Sequence, residues 1–220
     1  MRLRWIIAPK VVVWVLCLSP VSWLTWKATH DLLGANPLSE ITLSTGHWTL
    51  YLLLTTLAIS PLRKITRQNW LIRFRRPVGL FAFFYGCLHL MTYLWFDKFF
   101  DVHEIVKDIY KRPFITAGMM AWVLMFPLAL TSTAASIRRL GGRRWQALHR
   151  LVYASAIAAV THFWWLVKRD RTRPEIMAAI LTGLLAFRIV DRFVSTRPAR
   201  RVLIGSKTTK EAEPSGVSPG

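Results

Sequence analysis

Apolar residues gather along the chain into six blocks, at about 11–26, 45–62, 77–96, 114–133, 146–167 and 175–192, separated by charged or turn-rich stretches. Each block holds 16 to 22 residues, and at about 1.5 Å per residue that approaches the roughly 30 Å hydrocarbon core of a bilayer. Each therefore predicts one spanning helix, with small adjustments of tilt or bilayer thickness. Six spans return the chain to the side on which it started. The first block has the look of a signal peptide, yet no A-x-A-like site follows in "VSWLTWKATHDLLG", and its tryptophans suit a retained span. From Arg197 the periodicity is lost and Pro, Gly and Ser accumulate. Residues 193–220 are therefore expected to be a disordered cytoplasmic tail, 1–10 a short cytoplasmic N-terminus and 11–192 the membrane domain.

Composition agrees with this reading. Of 220 residues 53% are hydrophobic and 11 are tryptophan, with a mean hydropathy of +0.33, more apolar and interfacial surface than one soluble core hides. The formal charge of +19, from 30 Lys and Arg against 11 Asp and Glu, suggests nucleic acid only until the cations are placed. They fall between apolar blocks rather than on one soluble domain, so nucleic acid is excluded as the partner. With the N-terminus inside, the inner segments hold Arg2, Arg4 and Lys10, six cations in "RKITRQNWLIRFRR", four in "IRRLGGRR", Arg150, and seven from Arg188 onward, or 21 of 30. The outer "KRDRTR" at 168–173 runs against this locally. The positive-inside rule still sets the expected class: an all-α integral membrane protein, a six-transmembrane-helix bundle, N-in and C-in.

Six histidines carry the candidate chemistry. His89 lies 12 residues into the third block and His162 near the outer end of the fifth. Both fall about 20 Å from the inner face if the helices are ideal. Imidazoles at one level on neighbouring helices are what bis-histidine haem ligation requires, with the porphyrin between the helices and small residues such as Gly86, Ala156, Ala158 and Ala159 making room for it. The plain alternative is that each histidine hydrogen-bonds a nearby carbonyl or serine. His149, 13 residues before His162, points about 220° away from it on an ideal helix, so a kink or π-bulge would be needed to aim both at one groove. It exchanges with His162 as a ligand, serves an inner haem with a non-histidine partner, since Arg75, Arg76 and Pro77 occupy the facing position, or handles protons for a quinone. His30 and His103 are expected to be solvated in outer loops, and His47 to open the second helix at the interface. Cys17 and Cys87, inside apolar blocks without CxxC spacing, are expected to be small buried residues.

The stretches "LIRFRRPVGLFAFFYGCLHLMTYLWFD", "KRPFITAGMMAW", "LALTSTAASIRRLGGRRWQALHRLVY" and "HFWW" resemble the MsrQ (YedZ) family, within the ferric-reductase-like transmembrane superfamily, over about residues 10–192. The resemblance implies a six-helix cytochrome of the bacterial inner membrane with haem b and flavin mononucleotide (FMN). It implies electrons taken from the quinone pool or a cytoplasmic flavin reductase and passed to MsrP, a periplasmic molybdenum subunit that reduces methionine sulfoxide in oxidised proteins. The family's haem histidines fall on His89, His149 and His162. At His47 this chain departs from the family's arginine after the glycine, and no role transfers there. Arg73, Arg75, Arg76, Arg138, Arg139, Arg143 and Arg144 offer phosphate-binding charge, but anionic lipid headgroups are their expected partners. No G-x-G-x-x-G follows a strand, and no P-loop, HExxH or Ser-His-Asp arrangement is present. Hydride from NAD(P)H therefore has no binding domain here, and an electron conduit is expected. A stand-alone haem ferric reductase and a cofactor-free scaffold or transporter are the alternatives.

Overall fold

The computed structural model describes residues 4–195, which are helical throughout apart from short connections. Residues 1–3 of the expected N-terminus and 196–220 of the expected tail lie outside the described residues. Among the described residues nine α-helices follow in order: α1 (Arg4–Thr29), α2 (Pro37–Thr66), α3 (Arg75–Met91), α4 (Val102–Lys111), α5 (Pro113–Leu130), α6 (Ala134–Leu140), α7 (Gly142–His149), α8 (Leu151–Leu166) and α9 (Thr172–Ser195). The described residues fall into two units, with the break between Leu184 and Leu185, within α9.

Four predicted blocks lie within single helical stretches; the fourth, 114–133, outruns α5 by three residues, and the fifth is divided. Among the described residues three stretches are long and apolar enough to cross a membrane: Pro9–Thr29, Asn69–Asp97 and Pro113–Leu130. In α2, threonines, serines and His47 dilute the leucines, α8 has only 16 residues, and α9 carries Glu175, Arg188, Asp191 and Arg192. Block 146–167, expected as one helix, is broken at Arg150, whose N–H bonds the Ala147 carbonyl at 3.2 Å and whose carbonyl accepts from Tyr153 at 3.0 Å. These three-residue bonds tighten the chain and separate α7 from α8. His149 thus ends a short helix of its own.

The third block also departs from α-geometry. After α3 the chain continues as a π-helical turn, Thr92–Asp97, and leaves it through Phe99 and Phe100, both at positive φ (48° and 59°). Asp101 then caps α4, accepting from the N–H groups of His103 and Glu104.

Helices α2 and α3 pack along each other, as do α5 and α8, and these two pairs form the principal interfaces. Small residues permit it: Ala82, Ala121, Ala156 and Ser155 are all buried. Ser155 Oγ donates to the Ala121 carbonyl at 2.9 Å and ties α8 to α5. Tyr85 ties α3 to α1. Pro20 lies within α1, where a proline disturbs the bonds of the preceding turn. The Tyr85 hydroxyl is placed between the neighbouring partners, accepting from Val21 N–H at 3.0 Å and donating to the Cys17 carbonyl at 2.8 Å. Two backbone groups that lipid could not satisfy are thereby paired.

Candidate functional site

His89, near the end of α3, and His162, near the end of α8, are brought together across the two helix pairs. Their ring centroids are 6.1 Å apart with planes at 72°. His89 Nδ1 lies 2.9 Å from the Thr42 carbonyl of α2, and His162 Nδ1 lies 2.6 Å from the Phe114 carbonyl in the first turn of α5. A carbonyl only accepts, so both Nδ1 atoms carry the proton and donate. Each neutral ring keeps its Nε2 lone pair. So far each ring makes the backbone bond that a purely structural histidine would make; the pairing of the two is what goes beyond it.

Both rings line a cavity of about 250 Å³. They are half-buried although deep among helices, because they face this space. Its end nearer the start of α3 is apolar, with Gly86, Leu53, Met125 and Trp122. The other end, past His89, has Tyr93, Asp97 and Arg112. Trp122 stacks on Phe83 at 5.8 Å, and its Nε1 is buried with no hydrogen-bond partner among the described residues. Of the small residues expected to make room, Gly86 and Ala159 line the cavity. Ala156 and Ala158 are instead buried outside its lining.

Sequence reasoning placed His47 at the helix start; it is a correction that α2 begins at Pro37, leaving His47 well inside the helix. Its ring meets Phe163 edge-on at 5.2 Å and lines the cavity. The signal missed was that the second apolar block is preceded by Asn36 and Pro37, a side-chain cap and an N1 proline, which start the helix eight residues earlier than the block. Also missed were Gly46 and Gly118, each one helical turn after the carbonyl that a histidine uses.

His149 is elsewhere. It is absent from the cavity lining, stacks on Trp145 at 4.0 Å, and its Nε2 is 3.1 Å from Thr131 Oγ1. His30 is exposed and lies over Trp26 at 4.7 Å, while His103 is exposed in α4. The arginines considered for phosphate are exposed, except half-buried Arg75, and lie in the segments at 69–76 and 134–144. Among the described residues no three His, Cys, Asp or Glu side chains converge as a metal site would need.

In the connection between α3 and α5, Asp108 is the buried charge. Lys98 Nζ is 2.7 Å from its Oδ2, Arg112 Nε is 3.5 Å from Oδ1, and the Tyr93 hydroxyl donates to Oδ2 at 3.3 Å. The Lys98 hydrogen bond, first among the causes, holds the Asp108 carboxyl below its usual range against a smaller opposing effect of burial.

Residues 43–160 match the family model described as ferric reductase like transmembrane component. A protein of Herminiimonas arsenicoxydans named protein-methionine-sulfoxide reductase heme-binding subunit MsrQ is 53% identical over 182 residues, 82% of this chain and 84% of the relative. Proteins of the same name from Azospira oryzae and Ralstonia nicotianae are 53% and 52% identical over 190 and 184 residues, covering 86% and 83% of this chain and 82% and 85% of the relatives. No solved structure matches the chain. With the family model covering more than half its length and relatives this similar over most of it, the chain belongs to the ferric reductase-like transmembrane family, in its MsrQ branch.

Proposed function

We propose that the chain is the electron-carrying membrane subunit of a protein-methionine-sulfoxide reductase system, in which His89 and His162 would together hold one haem b. The spacing of the two rings carries the reading. Iron–nitrogen bonds of about 2 Å on each side, plus about 1 Å from nitrogen to ring centre, ask for centroids about 6 Å apart; the rings stand at 6.1 Å. The donor chemistry fits as well, since each Nδ1–H is anchored on a carbonyl and Nε2 is left to bind metal. Apolar walls would suit the macrocycle, and the Arg112 guanidinium would supply charge for carboxylates of the group. Bound there, haem supplies one-electron redox chemistry. The chain's part is to hold both rings neutral and oriented, and to keep lipid and bulk water from the iron site.

The six-span, N-in and C-in topology in the bacterial inner membrane belongs to this proposal, supported by the cation distribution. Electrons enter from the quinone pool or a cytoplasmic flavin reductase and leave to periplasmic MsrP, docked on outer segments 97–113 and 168–174. The FMN implied by resemblance gains no support from the described residues and is not part of the proposal. We place His149 on the inner side, where haem stoichiometry separates its roles: two haems per chain would make it an inner ligand, and one leaves exchange with His162 or proton handling.

The test is a pyridine haemochrome assay with absorption spectra of the purified chain. A red protein with a low-spin Soret band is expected, and His89→Ala and His162→Ala each lose at least nine-tenths of the cavity haem while still inserting. A colourless wild type, or full haem in both variants, overturns the ligand pair. Reduction of ferric chelate without any partner would favour the stand-alone reductase instead.

A further inference from the structure

Gly46 lies inside α2 and Gly118 inside α5, at positions where alanine is the better helix former. What occupies the space of the missing side chains is in each case an imidazole. A Cβ at Gly46 would stand 3.0 Å from His89 Cε1 and 3.1 Å from its Nδ1; a Cβ at Gly118 would stand 2.8 Å from His162 Nδ1 and 3.1 Å from its Cε1. Both separations are inside normal van der Waals contact. The carbonyls that receive the two Nδ1–H bonds, Thr42 and Phe114, each come four residues before these glycines, on the same helix face. Each ring is thus held by the same two-part cradle: a carbonyl that accepts from Nδ1, and one turn later a bare Cα over which the ring lies. The arrangement occurs on two different helix pairs, α2 with α3 and α5 with α8. It is not a general habit of the helix glycines here, since Gly79 meets only Thr56, and Gly183 has nothing within 4 Å.

We propose that Gly46 and Gly118 are positioning residues that fix the rotation of the two imidazoles and hold their Nδ1–H groups on the carbonyls, so setting how strongly each ring donates to iron. This rests on the haem reading above. A methyl group at either place pushes the ring off its cradle and lengthens the Nδ1–H···O bond. An imidazole that loses this bond is a weaker base, and a weaker ligand stabilises ferric iron less. The reduction potential then rises.

The experiment compares purified, haem-loaded wild type with Gly46→Ala, Gly118→Ala and, as control, Gly183→Ala, by low-spin electron paramagnetic resonance, redox titration and thermal unfolding. Gly183→Ala should unfold at a higher temperature with unchanged g values and potential. Gly46→Ala should keep its haem, shift its g values, and move the ferric–ferrous equilibrium about tenfold toward ferrous, about 59 mV upward. Gly118→Ala, with the closer contact, should move further or lose at least half its haem. Unchanged g values with an unchanged or lowered potential in Gly46→Ala overturn the proposal and leave the haem ligands standing, and this variant decides alone if Gly118→Ala fails to insert. A colourless wild type overturns both readings together.

Discussion

The cavity between His89 and His162 and the corner around His149 use the same residue type with opposite nitrogens engaged. At the cavity both Nδ1 atoms donate to carbonyls, and both rings line open volume with no hydrogen bond at Nε2 among the described residues. At the corner, Thr131 Oγ1 donates to the Pro127 carbonyl at 2.6 Å, which leaves it to accept from His149 Nε2 at 3.1 Å. The proton of that ring is therefore on Nε2. Trp145 covers one face of the ring at 4.0 Å and donates its own Nε1–H to the Thr131 carbonyl at 2.9 Å. Burial is common to all three histidines. What separates them is which nitrogen is consumed, and whether space for a ligand meets the other.

The largest effect separates the two regions outright. His162→Ala should lower cavity haem at least tenfold, whereas His149→Ala should keep at least half of the total, measured on the same purified preparations. Equal losses in both variants would erase the distinction. Next comes Tyr85→Phe, on α3 one turn before His89. Removing the hydroxyl deletes its two hydrogen bonds, from Val21 N–H and to the Cys17 carbonyl, at a cost of about 2 kcal/mol. It should loosen haem on the His89 side without touching His149, read as lower thermal stability with haem released earlier on heating. Ser155→Ala probes the other helix, two turns before His162. The loss of its bond to the Ala121 carbonyl should cost about 1 kcal/mol, by the same heating assay.

The sequence made the pairing of His89 with His162 legible because depth along a helix needs only a residue count and a direction. Azimuth was less accessible. From 100° per residue, His149 cannot share a groove with His162 unless the helix is interrupted, and the interruption is present at Arg150. Nothing in "ALHRLVY" marks it, since neither proline nor glycine is there. The π-turn at Thr92–Asp97 is equally silent in composition. The start of α2 is hidden for another reason: the apolar block begins at 45, whereas the helix starts at its cap, Asn36. Glycine gave the signal that could have been used. The stretches "TLSTG" and "FITAG" each put glycine four residues after the histidine-binding carbonyl, but the partner ring comes from 43 or 44 residues further along the chain, and only folding shows which ring fills the gap.

The smallest effect concerns how the cavity's polar end is held. Arg112 lines the cavity and also reaches Asp108, which Lys98 and Tyr93 share, so the α4 connection and the cavity mouth are one network. Asp108 is 6% exposed, yet it lies at the rim, where desolvation counts for less than the Lys98 hydrogen bond. Its folded pKa is therefore depressed. A depressed carboxyl contributes stability above its unfolded pKa, about 4, and loses it as pH falls through the lower folded value. Hydrogen exchange in α4 should then be constant from pH 7 to about 5, after correction for intrinsic rates, and protection should fall below about pH 4. The change should stay under about 1 kcal/mol, the range of partly solvated ion pairs. Asp108→Asn should show the acid-state protection at every pH, while amides of α7 around His149 show no such dependence in either protein. Acid-sensitive exchange that persists in Asp108→Asn would place the titrating group elsewhere and detach α4 from the cavity mouth.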